Sequence, residues 1–267
     1  MSSSSSPLAS NPTEHSQVVA DPLAHFKAVP WCAALLSDPA IIEIGVPDRR
    51  PLPNGDSSLV RKTMNSPTTA RACVTFYRLV KPIQPSSTSS SSRSPSFGGT
   101  GELSPAGGSA PSDSSRSSKA KNPNPDPKPK QPALSASEAL LGGGGRPNGE
   151  SPQNPFLLFS ALVDLGEDCQ SFPGVMHGGM HGLLMDEVMG SAANAQTAHG
   201  ARTIRFTTHH RRPIWLPQIL LIRGRVIRKV GRKIDVRGTL EDKDGNILAD
   251  GEGIWIAIVR EPVRSNL

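Results

Sequence analysis

The chain has 267 residues, of which 36% are apolar and 4% aromatic, with 25 glycines, 26 prolines and a formal net charge of +6. That length admits one large domain or two small ones, but the apolar content suits one modest core joined to segments that bury little. Three scattered cysteines, Cys32, Cys73 and Cys169, exclude a disulfide framework and a Cys-rich metal site, so a reducing compartment is expected. No apolar run nears the ~20 residues a bilayer span needs. The basic balance admits polyanionic partners, including a phosphate-bearing small molecule. No aromatic-interleaved basic platform or zinc-finger spacing points to nucleic acid.

Residues 1–20 form a Ser-rich tail without an apolar stretch and without Arg before Arg49. This argues against a secretory signal and gives a mitochondrial presequence little support. The cytoplasm is the expected compartment, with the mitochondrion as the alternative. Between residues 21 and 82, Leu23, Phe26, Trp31, Leu35 and Leu36 share a helical face that Pro30 interrupts. The pattern predicts a short helix pair or a bent helix, followed by a first strand at "ARACVTFYRLV".

From about residue 83 to 153 more than half the residues are Ser, Pro or Gly. Such a tract cannot bury enough apolar surface to offset its ordering entropy and is expected to be a disordered insertion in a loop. Inside it, "GGRPNGES" has Walker-A glycine spacing, but Glu150 stands where a lysine would meet phosphates, so it reads as linker.

The core resumes at 154–260, ahead of a tail at 261–267. A strand is expected over about Phe156–Leu165, then one helix from Gly178 to about Ala198, stopped by Gly200. Four antiparallel strands follow, with a tight turn at Gly231, a type I′ Asp-Gly hairpin at "KDGN", and a bulge at Gly251 or Gly253. The order implies an α+β architecture, one curved antiparallel sheet wrapped around one long helix covered nearly all round.

The helix start, "SFPGVMHGGMHGLLMDEVMG", carries the chemistry. Gly178 and Gly179 bare the backbone at a helix N-terminus, where unpaired N–H groups and the dipole favour an anion or a developing negative charge. The same glycines could serve only tight helix–sheet packing. Asp186 lies eight residues on, roughly 12 Å along the helix, too far for the first N–H and this carboxylate to meet one carbonyl carbon. Two such helices antiparallel across a dimer bring each N-terminus to the partner's carboxylate. His177 and His181 stand i, i+4, yet no third ligand stands at metal spacing, and no metal is expected.

The pattern "HGGxxxxLxDExxG", followed by "RRP", "GRK", an Asp-Gly hairpin and "ADGEG", resembles the hotdog-fold acyl-CoA thioesterases of the PaaI and THEM type. Fungal members also resemble "VPWCAALLSDP". The likeness covers about Pro155–Val259 and, more loosely, 21–82. It implies Gly178 N–H as oxyanion donor, Asp186 of the other subunit as general base or nucleophile, and His177 as a residue that sets the loop and polarises the substrate. Thr203 would hold the carboxylate or water, and Gly179 would let the substrate approach. Ser171 replaces the Asn or Gln of several relatives near the carbonyl. Asp186 is favoured over Glu187 mostly on family spacing, since helix geometry alone leaves them even. Arg211, Arg212, Arg228, Lys229, Arg232 and Lys233 read either as solvated edge charges or as a rim gripping coenzyme A phosphates.

The expected activity is hydrolysis of an acyl-CoA or acyl-carrier-protein thioester by a homodimer or tetramer. No cofactor is expected beyond coenzyme A as part of the substrate. The rivals are a hotdog dehydratase or hydratase, a non-catalytic acyl-thioester-binding protein and a basic nucleic-acid binder.

Overall fold

The computed structural model describes residues 15–80, 135–142 and 147–259; most of the expected insertion, together with both chain ends, lies outside them. Proline opens each of the first two helices. In α1 (Pro22–Lys27) Pro22 follows Asp21, whose carboxylate accepts the Ala24 N–H at 2.9 Å. In α2 (Pro30–Leu36) Pro30 is the first helical residue, where its missing N–H costs nothing. The interrupted apolar face is therefore a helix pair.

Strands β1 (Ile41–Gly45), β2 (Ala70–Arg78) and β3 (Leu158–Leu165) pair antiparallel in order. A short hairpin, β4 (Gln170–Phe172) with β5 (Val175–Met176), leads into α4 (Gly178–Asn194). Then come β6 (Ala201–His210), β7 (Gln218–Val230), β8 (Lys233–Glu241) and β9 (Ile247–Ala257). The main sheet has the order β1-β2-β3-β7-β8-β9-β6. The last four strands are thus not a simple meander. Segment 211–217 carries the chain past the sheet end, anchored by buried Ile214 and a bridge between Val175 and Trp215, so β6 becomes an edge strand beside β9.

Both faces of the sheet are covered at β2, β3 and β7. Ala72, Val74, Phe76, Leu162 and Leu221 pack against Phe26 and Leu36 of the helix pair. Phe159, Ala161, Val163, Leu220 and Ile222 pack against α4. With no wet face, β3 is buried along its whole length, as expected for a strand between two layers. Asp164 of β3 is buried there and is matched by Arg71 and His25.

Three glycines fix the depth of α4. Gly224 of β7, Gly238 of β8 and Gly251 of β9 are paired in register across the sheet. A Cβ on Gly238 would lie 2.7 Å from Met189 Sδ, and one on Gly251 3.0 Å from Met185 Cε. This bare row accepts the two methionines of the helix. Gly251 and Gly253 therefore mark close approach, not the expected bulge; the register shift on that edge falls between Thr203 and Arg205 of β6.

Three further expectations change. The helix stops at Asn194, before the expected Ala198, because the Asn194 side chain takes the Ala201 N–H at 2.7 Å and turns the chain. At "KDGN" only Gly245 has positive φ. Asp242 accepts the N–H groups of Asp244 and Asn246, a side-chain-built turn in place of type I′. The end of the Ser/Pro/Gly tract is also ordered. Ser135 and Glu138 form a capping box on α3 (Ala136–Leu140), Glu138 pairs with Arg78, Leu141 is buried, and Glu150 accepts the Phe156 N–H.

Candidate active site

The N-terminus of α4 is built without Ser, Thr, Asp or Asn as cap. His177 takes that place, and its Nδ1 accepts the Gly179 N–H at 2.9 Å. Met180 N–H reaches the His177 carbonyl, and His177 N–H the Cys169 carbonyl at 2.8 Å. Gly178 N–H has no such bond among the described residues. One free donor is left at the positive end of the helix dipole.

That donor borders a cavity of about 390 Å³ whose walls include Ser171, Gly178, His181, His210, Arg211 and Arg212. Ser171, Gly178, Arg211 and Arg212, candidates for substrate contact from the sequence, meet here with His181. Arg211 is already hydrogen-bonded to Asp250. Arg232 and Lys233 do not join them. They lie where Lys233 faces Ile256, beside the Ala201 end of β6, whereas Arg211 and Arg212 follow its other end at His210. A ten-residue strand separates the two groups by roughly 30 Å. Antiparallel strands send successive hairpins to opposite ends of the sheet, so the expected single basic rim is two separate groups within one chain.

Two turns along α4, Asp186 is half-buried and accepts a hydrogen bond from Thr203 Oγ1 at 2.8 Å. The first residues of β6 thus hold the carboxylate. Glu187 lies about 100° around the helix and faces a different cavity, on the side of β2 and β3. Its pKa is raised, first by burial of the carboxyl and second by the charge of Asp186. The two acids are therefore in unlike settings.

The sequence reading treated His181 only as half of a metal pair and did not connect it with His210. His181 is buried, its ring centroid 4.2 Å from that of His210. Neither ring nitrogen of His181 makes a well-formed hydrogen bond. Burial lowers its pKa, as does the charge of His210, while the His177 and Gly178 carbonyls act the other way. Its spacing four residues after His177 was the available signal; the partner on β6 needed the fold. Among the described residues no three His, Cys, Asp or Glu side chains gather as a metal site.

The helix is less covered than its composition implies. In the single chain Gly179, Glu187 and Asn194 are exposed and Leu183, Asp186 and Gly190 half-buried, a strip along one side. Strand β6 beside it is open, with Ile204 62% exposed.

Residues 173–249 match the family model described as Thioesterase superfamily, a span that takes in Gly178, Asp186 and Thr203. The resemblance to hotdog-fold thioesterases stands on that match together with the sheet wrapped on one helix. The match covers less than a third of the chain and begins after β3. Comparison with curated proteins returns no match. Among solved structures the chain is similar to the PaaI protein of the E. coli phenylacetic acid degradation operon, at 17% identity over 38% of this chain and 73% of that one, TM-score 0.37. It is also similar to BH2602 of Bacillus halodurans, solved with CoA, at 22% identity over 36% and 65%, TM-score 0.35. A third, smu.793 of Streptococcus mutans bound to acetyl CoA, has 17% identity over 39% and 84%, TM-score 0.37. No helix among the described residues is long and apolar enough to cross a membrane.

Proposed function

We propose that the protein hydrolyses acyl thioesters of coenzyme A, or of an acyl carrier, as a homodimer whose two sites each combine both chains. The observation that carries this reading is the Thr203–Asp186 hydrogen bond on the uncovered strip of a helix whose first N–H is unpaired. A carboxylate kept partly exposed and aimed by a hydroxyl can act as a base. A free helix-end N–H suits an oxygen that gains charge.

The step follows from these roles. The thioester carbonyl sits against Gly178 N–H of one chain, and water attacks its carbon while Asp186 of the other chain takes the proton. Charge gathers on the carbonyl oxygen and is met by that N–H and the helix dipole. Collapse breaks the C–S bond, and the thiolate leaves with the proton Asp186 held, giving free acid and thiol. Asp186 and Gly178 of one chain are too far apart to share a carbonyl, so the exposed strip of α4 and the open β6 edge are read as the surface a second copy covers. Arg212 and Arg211 at the Gly178 cavity are suited to a phosphate-bearing carrier.

Thiol release from a panel of acyl-CoAs tests the reading. Turnover by the wild type, with Asp186→Asn slowed by about 10²–10⁴-fold, supports it. Equal turnover by both, or none by either, removes it.

A further inference from the structure

On the far flank of α4 from Thr203 lies a second cavity, of about 240 Å³, between the helix and strands β2, β3 and β7. Its interior is apolar, with Phe159, Ala161, Val163, Leu184, Val188 and Ile222 on its walls. The segment from Pro47 to Met64 borders it from outside and brings Arg49 into the lining.

Arg49 is 5% exposed. Its Nη1 donates to the carbonyls of Met64 at 3.0 Å and Ala70 at 2.9 Å. Its Nε is buried and has no partner. Among the described residues no carboxylate comes within 4.0 Å of it, although the chain carries acids close by. Asp48 is committed to Arg50, whose hydrogen bonds hold its pKa down to about 2. Glu187 lines the same cavity, but its pKa is raised and Arg49 is not among the causes. The neighbouring Cys73 thiol is pushed up by burial, while the charge of Arg49 and a hydrogen bond with it pull the other way; a thiol so raised supplies no counter-charge.

A buried guanidinium with no counter-ion is costly, and its ordinary remedy is an anion in contact. Nε–H lacks an acceptor and is itself shut off from solvent, so a planar carboxylate meets this guanidinium only where Arg49 lines the cavity. The other cation on the lining, Arg61, is half-buried and donates to the Arg50 carbonyl at 2.7 Å, so Arg49 is the one fully buried charge a ligand would meet there. The apolar interior has room for on the order of ten water-sized groups.

We propose that this cavity binds a free apolar monocarboxylate, a medium-chain fatty or aryl-alkyl acid, with its carboxylate on Arg49 and its hydrocarbon between α4 and β3. The site lies around the helix from Thr203, and two of its lining residues, Leu183 and Glu187, belong to the strip of α4 read above as the surface a second copy covers.

Calorimetric titration of the full chain with octanoate and with 1-octanol tests it. Saturable binding of one octanoate per chain is expected, with octanol much weaker. Arg49→Gln is expected to weaken octanoate about tenfold or more, the loss of a charge-assisted bond. Ala161→Leu fills the cavity while leaving Arg49 in place, so it is expected to abolish octanoate binding with the circular dichroism spectrum unchanged. That variant decides the matter if Arg49→Gln does not fold. Asp186→Asn is expected to bind octanoate like the wild type, which separates failure of this site from failure of the hydrolytic reading. No saturable octanoate binding, equal affinity for octanol, or full affinity in Ala161→Leu overturns the proposal.

Discussion

Asp186 and Glu187 are consecutive residues on one helix, and the fold treats them oppositely. Asp186 turns toward the open edge strand and receives a hydroxyl hydrogen bond from Thr203. Glu187 turns toward a cavity lined by Leu183, Leu184 and Val188, where burial raises its pKa. Hydrogen bonding favours the charged form of an acid, and desolvation disfavours it. One step of about 100° around the helix therefore separates a carboxylate held by a hydroxyl from one whose charged form burial disfavours. The lesson is that an acidic pair in an apolar run is two separate devices, each defined by the strand or cavity it meets.

The largest test of that contrast is exchange of each acid for its amide. Asp186→Asn is expected to cut thioester hydrolysis by about 10²–10⁴-fold, and Glu187→Gln by less than tenfold, read as kcat/KM for one acyl-CoA. The reverse order would reassign the base. Next in size is Thr203→Val, which removes the hydroxyl from Asp186 and keeps the shape. A loss of about 10- to 100-fold is expected from an unmet carboxylate hydrogen bond, with Thr203→Ser close to wild type. If Ser and Val behave alike, the hydroxyl has no part in the reaction.

Some of this was visible in the residues alone. The helix start at Gly178 and the strand segments follow from glycine, proline and apolar spacing, all local signals. What depended on partners was hidden. No spacing rule tells that β6 crosses to the far edge, that His181 meets His210, or that Arg49 in "VPDRRP" is buried without an acid. The register of Gly224, Gly238 and Gly251 was equally hidden, because each glycine reads alone as a weak strand residue. At "KDGN" the local signal itself misled, since Asp242 organises the turn with its own side chain. The capping box Ser135–Glu138 was legible in principle but lay submerged in low-complexity sequence.

A third prediction concerns the floor on which both acids stand. Gly238→Ala places a Cβ 2.7 Å from Met189 Sδ and 2.9 Å from the Arg223 carbonyl oxygen. The sulfur can move, but the backbone oxygen cannot easily do so, and the helix must shift. A loss of about 1–3 kcal/mol and a Tm fall of roughly 2–12 °C are expected by thermal unfolding. An unchanged Tm would mean that the glycine row does not set the depth of α4.

The smallest effect is the one that isolates Glu187. Its folded-state pKa lies above the ordinary glutamate value of 4.5, so the folded chain holds that proton more tightly than the unfolded chain does. The stabilisation is complete below about pH 4.5 and is lost as the pH rises through the raised value. Glu187→Gln cannot titrate, so its stability relative to wild type is expected to increase across that window. Urea midpoints at about pH 4, 5.5 and 7 read the difference. The size stays modest because Glu187 is only partly desolvated: it lines the cavity, yet the residue as a whole is exposed in the single chain. Asp186→Asn is expected to reduce the pH slope only in part, since the charge of Asp186 is the lesser cause of the rise and burial the greater. Parallel wild-type and Glu187→Gln curves would mean that the cavity does not desolvate this carboxyl, and the contrast between the two acids would then rest on Thr203 alone.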